Sequence, residues 1–285
     1  MEADLHIHTT VSDGCLSPAE AVRLARDINL HALSITDHDT MGGILEALDE
    51  GKKLNIKVIP GVEMSTEYMD KEIHILGYYV DSGNENFQTL LELLRKSRQK
   101  RVKNIIKKLN GLGCTVELEE VANLAREGSV GRPHIARVLA QKGYVSSVKD
   151  AFEKLIGYNA PAYVERYKLL PKEVIQLVLK AGGVPVLAHP GLIKNDSVIY
   201  NIIEDGLRGI EVYHPEHSPE EIRKFQIMAF KNNLLITGGS DCHGIDRLTG
   251  SQLGGVTVPM YHVEKLEQAS IEIKWKNKQK QTRES

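Results

Sequence analysis

Cysteine is scarce, three in 285 residues, and Cys15, Cys114 and Cys242 make no CxxC pair. An odd count without paired spacing excludes a disulfide framework and a zinc ribbon, and predicts reduced thiols. No run approaches about 18 consecutive apolar residues, so no transmembrane helix is expected. The opening Met1-Glu2-Ala3-Asp4-Leu5-His6 lacks the basic and apolar regions of a secretory signal, and a soluble cytoplasmic protein is the expectation. Charge of one sign is also missing. With 36 Lys+Arg against 38 Asp+Glu the formal net charge is −2, which argues against a dedicated duplex-DNA binder. The P-loop, the dinucleotide GxGxxG and the GxSxG elbow are absent, so ATP-driven chemistry, nicotinamide redox chemistry and serine acyl transfer have no motif support. No internal repeat or low-complexity segment is present.

What remains is an ordinary globular composition, 41% hydrophobic and 26% charged, long enough for one large α/β domain or a domain with an insertion. Short apolar runs alternate with helical patterns, which predicts parallel βα units. Strands are expected at Ala3–His8, Ala32–Thr36, Ile56–Met64, Glu72–Val80, Val184–His189, Gly209–Tyr213, Leu234–Gly238 and Gly255–Val258. Ser17-Pro18-Ala19-Glu20 and Ser218-Pro219-Glu220-Glu221 each supply an N-cap, a proline at the first helical position and a capping-box glutamate. Pro171 starts another helix, ended by Gly182-Gly183. From Asn86 to Tyr163 the pattern becomes nearly all helical, with Leu90, Leu91, Leu94, then Val102, Ile105, Ile106 and Leu109 at helical spacing. The expected organisation is a discontinuous barrel over 1–85 and 164–270, an inserted helical lid over 86–163, and a polar, frayed tail over 271–285.

Histidine is abundant, with 11 residues. His6 and His8 close the first predicted strand two positions apart, which turns both imidazoles to one side. A lone HxH is weak evidence. Here, however, nearly every later predicted strand also ends in a candidate ligand: Asp37-His38 after the second, Glu63 at the third, His74 in the fourth, His189 at the fifth, Asp241 and His243 after the seventh. In barrel-like α/β folds the strand C-termini converge on one face. His6, His8, Asp13, His38, Glu63, His74, His189, Asp241 and His243 could then form one polynuclear cluster, whose imidazole and carboxylate donors suit Zn, Mn or Fe. His31 and His262 are read as structural.

The series Asp4-Leu5-His6-Ile7-His8, Asp13-Gly14, Ile35-Thr36-Asp37-His38, Gly61-Val62-Glu63, His74-Ile75-Leu76-Gly77-Tyr78, Ala188-His189-Pro190 and Gly239-Ser240-Asp241-Cys242-His243 resembles the PHP (polymerase and histidinol phosphatase) family of metal-dependent phosphoesterases. The resemblance spans about residues 3–258 and implies a distorted seven-stranded β/α barrel with three divalent metal ions at its C-terminal rim. It implies that His6, His8, Glu63 and Asp241 hold one ion, that Glu63 bridges to a second held by His74 and His189, and that Asp13, His38 and His243 hold the third. Gly131-Arg132-Pro133-His134-Ile135-Ala136 resembles the branch with nucleoside 3′,5′-bisphosphate phosphatases and a 5′-to-3′ exoribonuclease. In that reading Arg132 grips a phosphate and His134 donates to it, under a lid formed by the insertion.

The expected activity is hydrolysis of phosphate esters of nucleotides or short 5′-phosphorylated oligonucleotides, by attack of a metal-bridging hydroxide. His214, on the same rim, would meet the substrate phosphate or protonate the leaving alkoxide. The basic run Arg95, Lys96, Arg98, Lys100, Arg101, Lys103, Lys107 and Lys108 could draw in single-stranded RNA or DNA, although such runs are usually solvated helix faces. The alternatives are a histidinol-phosphate or other small-molecule phosphatase, an amidohydrolase-like C–N hydrolase, and a non-catalytic metal-stabilised nucleic-acid-binding module. No strand-end lysine of the kind a carboxylated-lysine amidohydrolase site uses is apparent, and Glu63 stands at the bridging position.

Overall fold

The computed structural model describes residues 1–69, 71–125, 130–244 and 252–284. Among them, strands β1 (Glu2–Ile7), β2 (Ala32–Ile35), β3 (Lys57–Tyr68), β4 (Lys71–Tyr78), β5 (Val184–Leu187), β6 (Gly209–Tyr213), β7 (Leu235–Gly238) and β8 (Val258–Pro259) form one eight-stranded sheet. The helices are α1 (Pro18–Asp27), α2 (Ile44–Leu54), α3 (Glu85–Gly111), α4 (Leu118–Ala125), α5 (Arg132–Gln141), α6 (Val148–Ala151), α7 (Pro171–Lys180), α8 (Asp196–Glu204), α9 (Pro219–Lys231) and α10 (Met260–Glu284).

The sheet runs β7-β6-β5-β4-β3-β2-β1-β8 and curls until its ends nearly meet. Ile7 bridges Cys242 just beyond β7, and the His8 N–H donates to the Cys242 carbonyl at 2.9 Å. The family resemblance implies seven strands and the sequence pattern eight; the eighth, expected over Gly255–Val258, forms at Val258 and Pro259, which pair antiparallel with Ala3 and Glu2 at the start of β1. Parallel pairing holds for β1/β2, β2/β3, β5/β6 and β6/β7, whereas β4 is antiparallel to both neighbours. Two residues separate β3 from β4. A parallel crossover needs a dozen or more, so a hairpin is what that length allows.

Both expected capping boxes form: the hydroxyls of Ser17 and Ser218 accept from the N–H groups of Glu20 and Glu221, whose carboxylates return the contact. Val22 and Ala25 of α1, Val174 and Val178 of α7 and Phe225 of α9 pack on the outside of the sheet against Leu33, Val62 and Ile210. Inside, Leu5, Ile59, Leu76, Tyr78 and Val186 fill the barrel, and Val263 and Leu266 of α10 join Ala3, Ala32 and Val184 at the strand starts. One end is thereby plugged, and the strand C-termini are left at the other. The tail beyond Lys274, expected to fray, instead continues α10 to Glu284. Ser270 Oγ donates to the Gly182 carbonyl at 3.0 Å, and Asn277 donates to the Leu179 carbonyl at 2.8 Å, docking that helix on the end of α7.

The long α3 serves two cores. Phe87, Leu91 and Leu94 pack into the barrel cluster, while Val102, Ile105, Ile106 and Leu109 pack with Val116, Val121, Ile135 and Leu139 in a separate apolar cluster. Closure of the barrel rests on a residue without a side chain. A Cβ on Gly239 would lie 2.4 Å from the His6 nitrogen and 2.5 Å from its Cβ. Gly239→Ala is expected to destabilise the protein by about 1–3 kcal/mol through this overpacking, seen as a lower urea midpoint at unchanged slope; an unchanged midpoint contradicts the close approach of β7 to β1.

Candidate metal centre

Each group of the expected cluster reaches the open end of the barrel by a different route. His6 is the penultimate residue of β1 and His8 follows the strand; His38 follows β2; His189 follows β5; Asp241 and His243 follow β7. Glu63 is not at a strand end as expected but in the middle of β3, because the β3–β4 hairpin runs on past the rim to Tyr68, and His74 faces it from β4. His189 and Asp241 have positive φ, +27° and +48°. Non-glycine residues take that conformation at a cost, and it accumulates at functional sites.

The nine groups converge. Glu63 Oε2 lies 3.3 Å from His6 Nε2, 3.1 Å from His8 Nε2 and 3.0 Å from His38 Nδ1. Its other oxygen lies 2.7 Å from His74 Nδ1 and 3.0 Å from His189 Nε2. Asp241 Oδ1 is 3.3 Å from His6 Nε2 and 3.1 Å from His8 Nε2, and these two imidazole nitrogens face each other at 3.2 Å. Asp13 stands 3.5 Å from His243 Nε2 and 3.9 Å from His38 Nε2. Three sets of donor atoms fall close enough for one cation each: His6, His8, Glu63 and Asp241; His38, Glu63 and His74; and His8, Asp13, His38 and His243. The second set differs from the expected one in having His38 where His189 was assigned, and His8 adds to the third. His189 falls in none of the three sets and reaches the cluster through Glu63 and through ring contacts with His6 and His74.

The chemistry of this donor set fits a metal. His8 Nδ1, His38 Nδ1, Asp13 Oδ1 and Glu63 Oε2 are buried and have no hydrogen-bond partner among the described residues. Buried polar atoms left unmatched are costly, and lone pairs converging on a shared point are what a divalent cation satisfies. Burial opposes charge on His8, yet the neighbouring carboxylates of Asp241 and Glu63 raise it to about 10. His74 likewise rises to about 9, because Glu63 outweighs the burial that opposes its charge. Burial disfavours the Glu63 carboxylate too, but His38, His74 and His6 hold its carboxyl well below the usual range. Without a cation, protons supply the positive charge.

Several buried acids outside the expected set hold these candidate ligands in place. His6 Nδ1 donates to Glu211 Oε1 at 2.9 Å, which leaves Nε2 for the cluster, and Glu211 Oε2 accepts from the His189 N–H at 2.7 Å. Asp4 accepts from the N–H and hydroxyl of Ser240 at 3.0 and 2.6 Å and ties β1 to the loop after β7. Asp37 accepts from the Thr9 N–H and hydroxyl at 2.7 and 2.6 Å, fixing the turn that presents Asp13. Asp4, between Ala3 and Leu5, and Glu211, between Ile210 and Val212, were visible as acids in apolar runs, whereas Asp37 sits among polar residues.

Beside the cluster lies a pocket of about 180 Å³ walled by Asp13, His38 and His74 and by Arg98, Arg101, Arg132 and Arg166. Outside the ligand set, these four guanidinium groups face two carboxylates, Asp39 and Glu72. Arg98 donates to Asp39 Oδ2 at 2.6 Å, and Arg132 to Glu72 Oε2 at 2.8 Å while stacking 5.3 Å from the Phe152 ring. Arg98 and Arg101 come from the basic run, in which Arg95, Lys96, Lys100, Lys103, Lys107 and Lys108 are exposed. Two expected contacts are arranged differently. His134 is buried, does not wall this pocket, and accepts the Gly131 N–H through Nδ1 at the start of α5, which leaves its proton on Nε2. His214 is also buried: Nδ1 accepts the Glu216 N–H, and Nε2 donates to Asp241 Oδ2 at 3.4 Å.

A nearly closed barrel with a buried histidine–carboxylate cluster at its rim is the architecture of a metal-dependent phosphoesterase. The chain belongs to the PHP domain family, which matches residues 4–169. It is 34% identical over 254 residues to the 5′-3′ exoribonuclease Rnm of Escherichia coli, covering 84% of each chain. With the 3′,5′-nucleoside bisphosphate phosphatase of Chromobacterium violaceum it shares 30% identity over 246 residues, 84% of this chain and 86% of the other. Among solved structures, a metal-dependent phosphoesterase from Bifidobacterium adolescentis superposes with a TM-score of 0.87 at 30% identity, over 94% of this chain and 96% of that one. No helix among the described residues is long and apolar enough to cross a membrane.

The raised pKa values of His8 and His74 carry a direct consequence. Both hold protons at neutral pH in the metal-free protein, and a ligand nitrogen must give its proton up. Adding Mn²⁺ to metal-free protein at pH 7 is expected to release protons, and affinity is expected to climb as pH rises toward about 9. Calorimetry in buffers of different ionisation enthalpy reads the proton count; a heat independent of buffer contradicts this description of the centre.

Proposed function

We propose that the chain is a trinuclear metal-dependent phosphoesterase acting on nucleotides or short 5′-phosphorylated oligonucleotides. The observation that carries this reading is the sharing of one buried carboxylate, Glu63, among donor sets that open onto an arginine-walled pocket. His6, His8, Glu63 and Asp241 would hold one ion, Glu63, His74 and His189 a second, and Asp13, His38 and His243 a third, with His8 and His38 at the boundaries between sets. Zn, Mn and Fe all suit these donors. Bound divalent ions would supply Lewis-acid charge for phosphoryl oxygens and a water acidic enough to ionise near neutral pH.

The remaining work falls to side chains. Arg132 and Arg98 would bind phosphoryl oxygens in a bidentate manner that lysine cannot match. Phe152 stacks on Arg132 and fixes the guanidinium plane. Glu211 holds the His6 tautomer, and His214, bonded to Asp241, is in position to steady that ligand or to hold a proton next to it. The helices of 86–163 form a lid whose inner wall carries Arg98, Arg101 and Arg132.

A substrate with a second anionic group uses this wall better than a monoester, which ranks nucleotide bisphosphates and 5′-phosphorylated RNA above histidinol phosphate. The names of the two relatives above, a 5′-3′ exoribonuclease and a 3′,5′-nucleoside bisphosphate phosphatase, support that ranking. Glu63→Ala and Asp241→Ala are expected to lose bound metal and to reduce phosphate or nucleotide release by more than about 100-fold. Arg132→Ala should raise KM about 10–100-fold, the worth of one charged hydrogen bond, with a smaller change in kcat. Metal analysis and turnover of a nucleoside 3′,5′-bisphosphate and a 5′-phosphorylated RNA check both; full activity in Glu63→Ala sinks the proposal.

A further inference from the structure

Glu72 belongs to none of the donor sets, yet it touches the centre on one side and the lid on the other. It precedes His74 by two positions on β4, so both side chains stand on one face of the strand. Glu72 Oε1 lies 3.1 Å from His74 Nε2 and accepts from Arg166 at 2.7 Å, while Oε2 accepts from Arg132 at 2.8 Å. The far nitrogen of the same imidazole, Nδ1, is 2.7 Å from Glu63. A continuous path therefore runs from two arginines, one at the start of α5 and one in the segment leading to α7, through Glu72 and His74 to the shared carboxylate. Neither arginine is more than one-sixth exposed on its side chain, at 16% for Arg132 and 14% for Arg166. Two guanidinium groups so sheltered and so close need an anion between them.

We infer that Glu72 is a positioning residue that couples the lid arginines to the metal ligand His74, so that closing the arginine wall and presenting the ligand nitrogen are a single arrangement. With the proton of His74 held on Nε2 by Glu72, Nδ1 has its lone pair free for a cation. A carboxylate behind a ligating histidine fixes its tautomer and raises its basicity. The second oxygen fixes where Arg132 meets an incoming phosphate. Because the two jobs share one carboxylate, cation binding and anion binding favour each other, and the coupling must be reciprocal.

This inference rests on His74 being a metal ligand, and the experiment separates the two. Metal-free full-length protein and its His74→Ala, Glu72→Ala and Glu72→Gln variants are titrated with Mn²⁺ and Zn²⁺ against a chromogenic chelator. KM and kcat are measured on a nucleoside 3′,5′-bisphosphate, with thermal unfolding as the check on folding. Glu72→Ala is expected to weaken the affinity for one bound ion by about 10–100-fold. Glu72→Gln keeps a carbonyl for His74 but turns an amide toward a guanidinium. Its cation affinity should stay near that of the unsubstituted protein while KM rises at little-changed kcat. Unaltered cation affinity in His74→Ala removes the ligand assignment itself. A loss in His74→Ala with none in a folded Glu72→Ala overturns this inference alone. Should Glu72→Ala not fold, Glu72→Gln decides: an unchanged KM overturns the coupling, and a raised KM with retained metal supports it.

Discussion

Five histidines, His6, His8, His38, His74 and His189, stand within 3.3 Å of the two oxygens of one buried carboxylate, Glu63. An ionised carboxylate in a dry interior is tolerated only when paired or bound to metal, and imidazoles crowded together repel once protonated. The cluster is therefore a poor arrangement for a protein held together by apolar packing alone and a good one for holding divalent cations. Much of the barrel serves to keep these groups from relaxing apart. Glu211, Asp4 and Asp37 each fasten a ligand-bearing segment from behind, and the side-chain-free contact at Gly239 brings β7 against His6.

The fold separates the two demands of the site. Rigid strands supply candidate ligands: β1, β3 and β4 carry His6, Glu63 and His74 on paired backbone, while α10 plugs the other end and stiffens the strand starts. Helices outside the barrel supply Arg98, Arg101 and Arg132, and the segment leading to α7 supplies Arg166. The long α3 is rooted in the barrel core through Phe87 and Leu91 and continues into a second apolar cluster of its own. Arg98 and Arg101 lie in the stretch between the two, where the helix passes over the metal rim. The overall formal charge of −2 thus hides a concentrated cationic wall.

The nine ligand candidates were legible in the sequence because strand-end placement repeats, and repetition in an α/β pattern has a geometric meaning. The antiparallel turn at β4 was less so, since the β3–β4 hairpin disguises Glu63 as a strand terminus. The arginine wall was hidden in a basic run that looks like a solvated face. Its signal was periodic: Arg98 and Arg101 fall four and seven residues after Leu94, on the stripe that Val102 and Ile105 continue. Arg166 and Glu72 gave no comparable sign, because the two are 94 residues apart in the chain and only folding brings them together.

In the proposed centre Glu63 binds cations through both of its oxygens. Anomalous diffraction at the manganese edge from crystals grown with Mn²⁺ tests it most directly. The expected result is three peaks, two of them in contact with Glu63 and the third beside Asp13 and His243. A single peak, or peaks that leave Glu63 untouched, would contradict it.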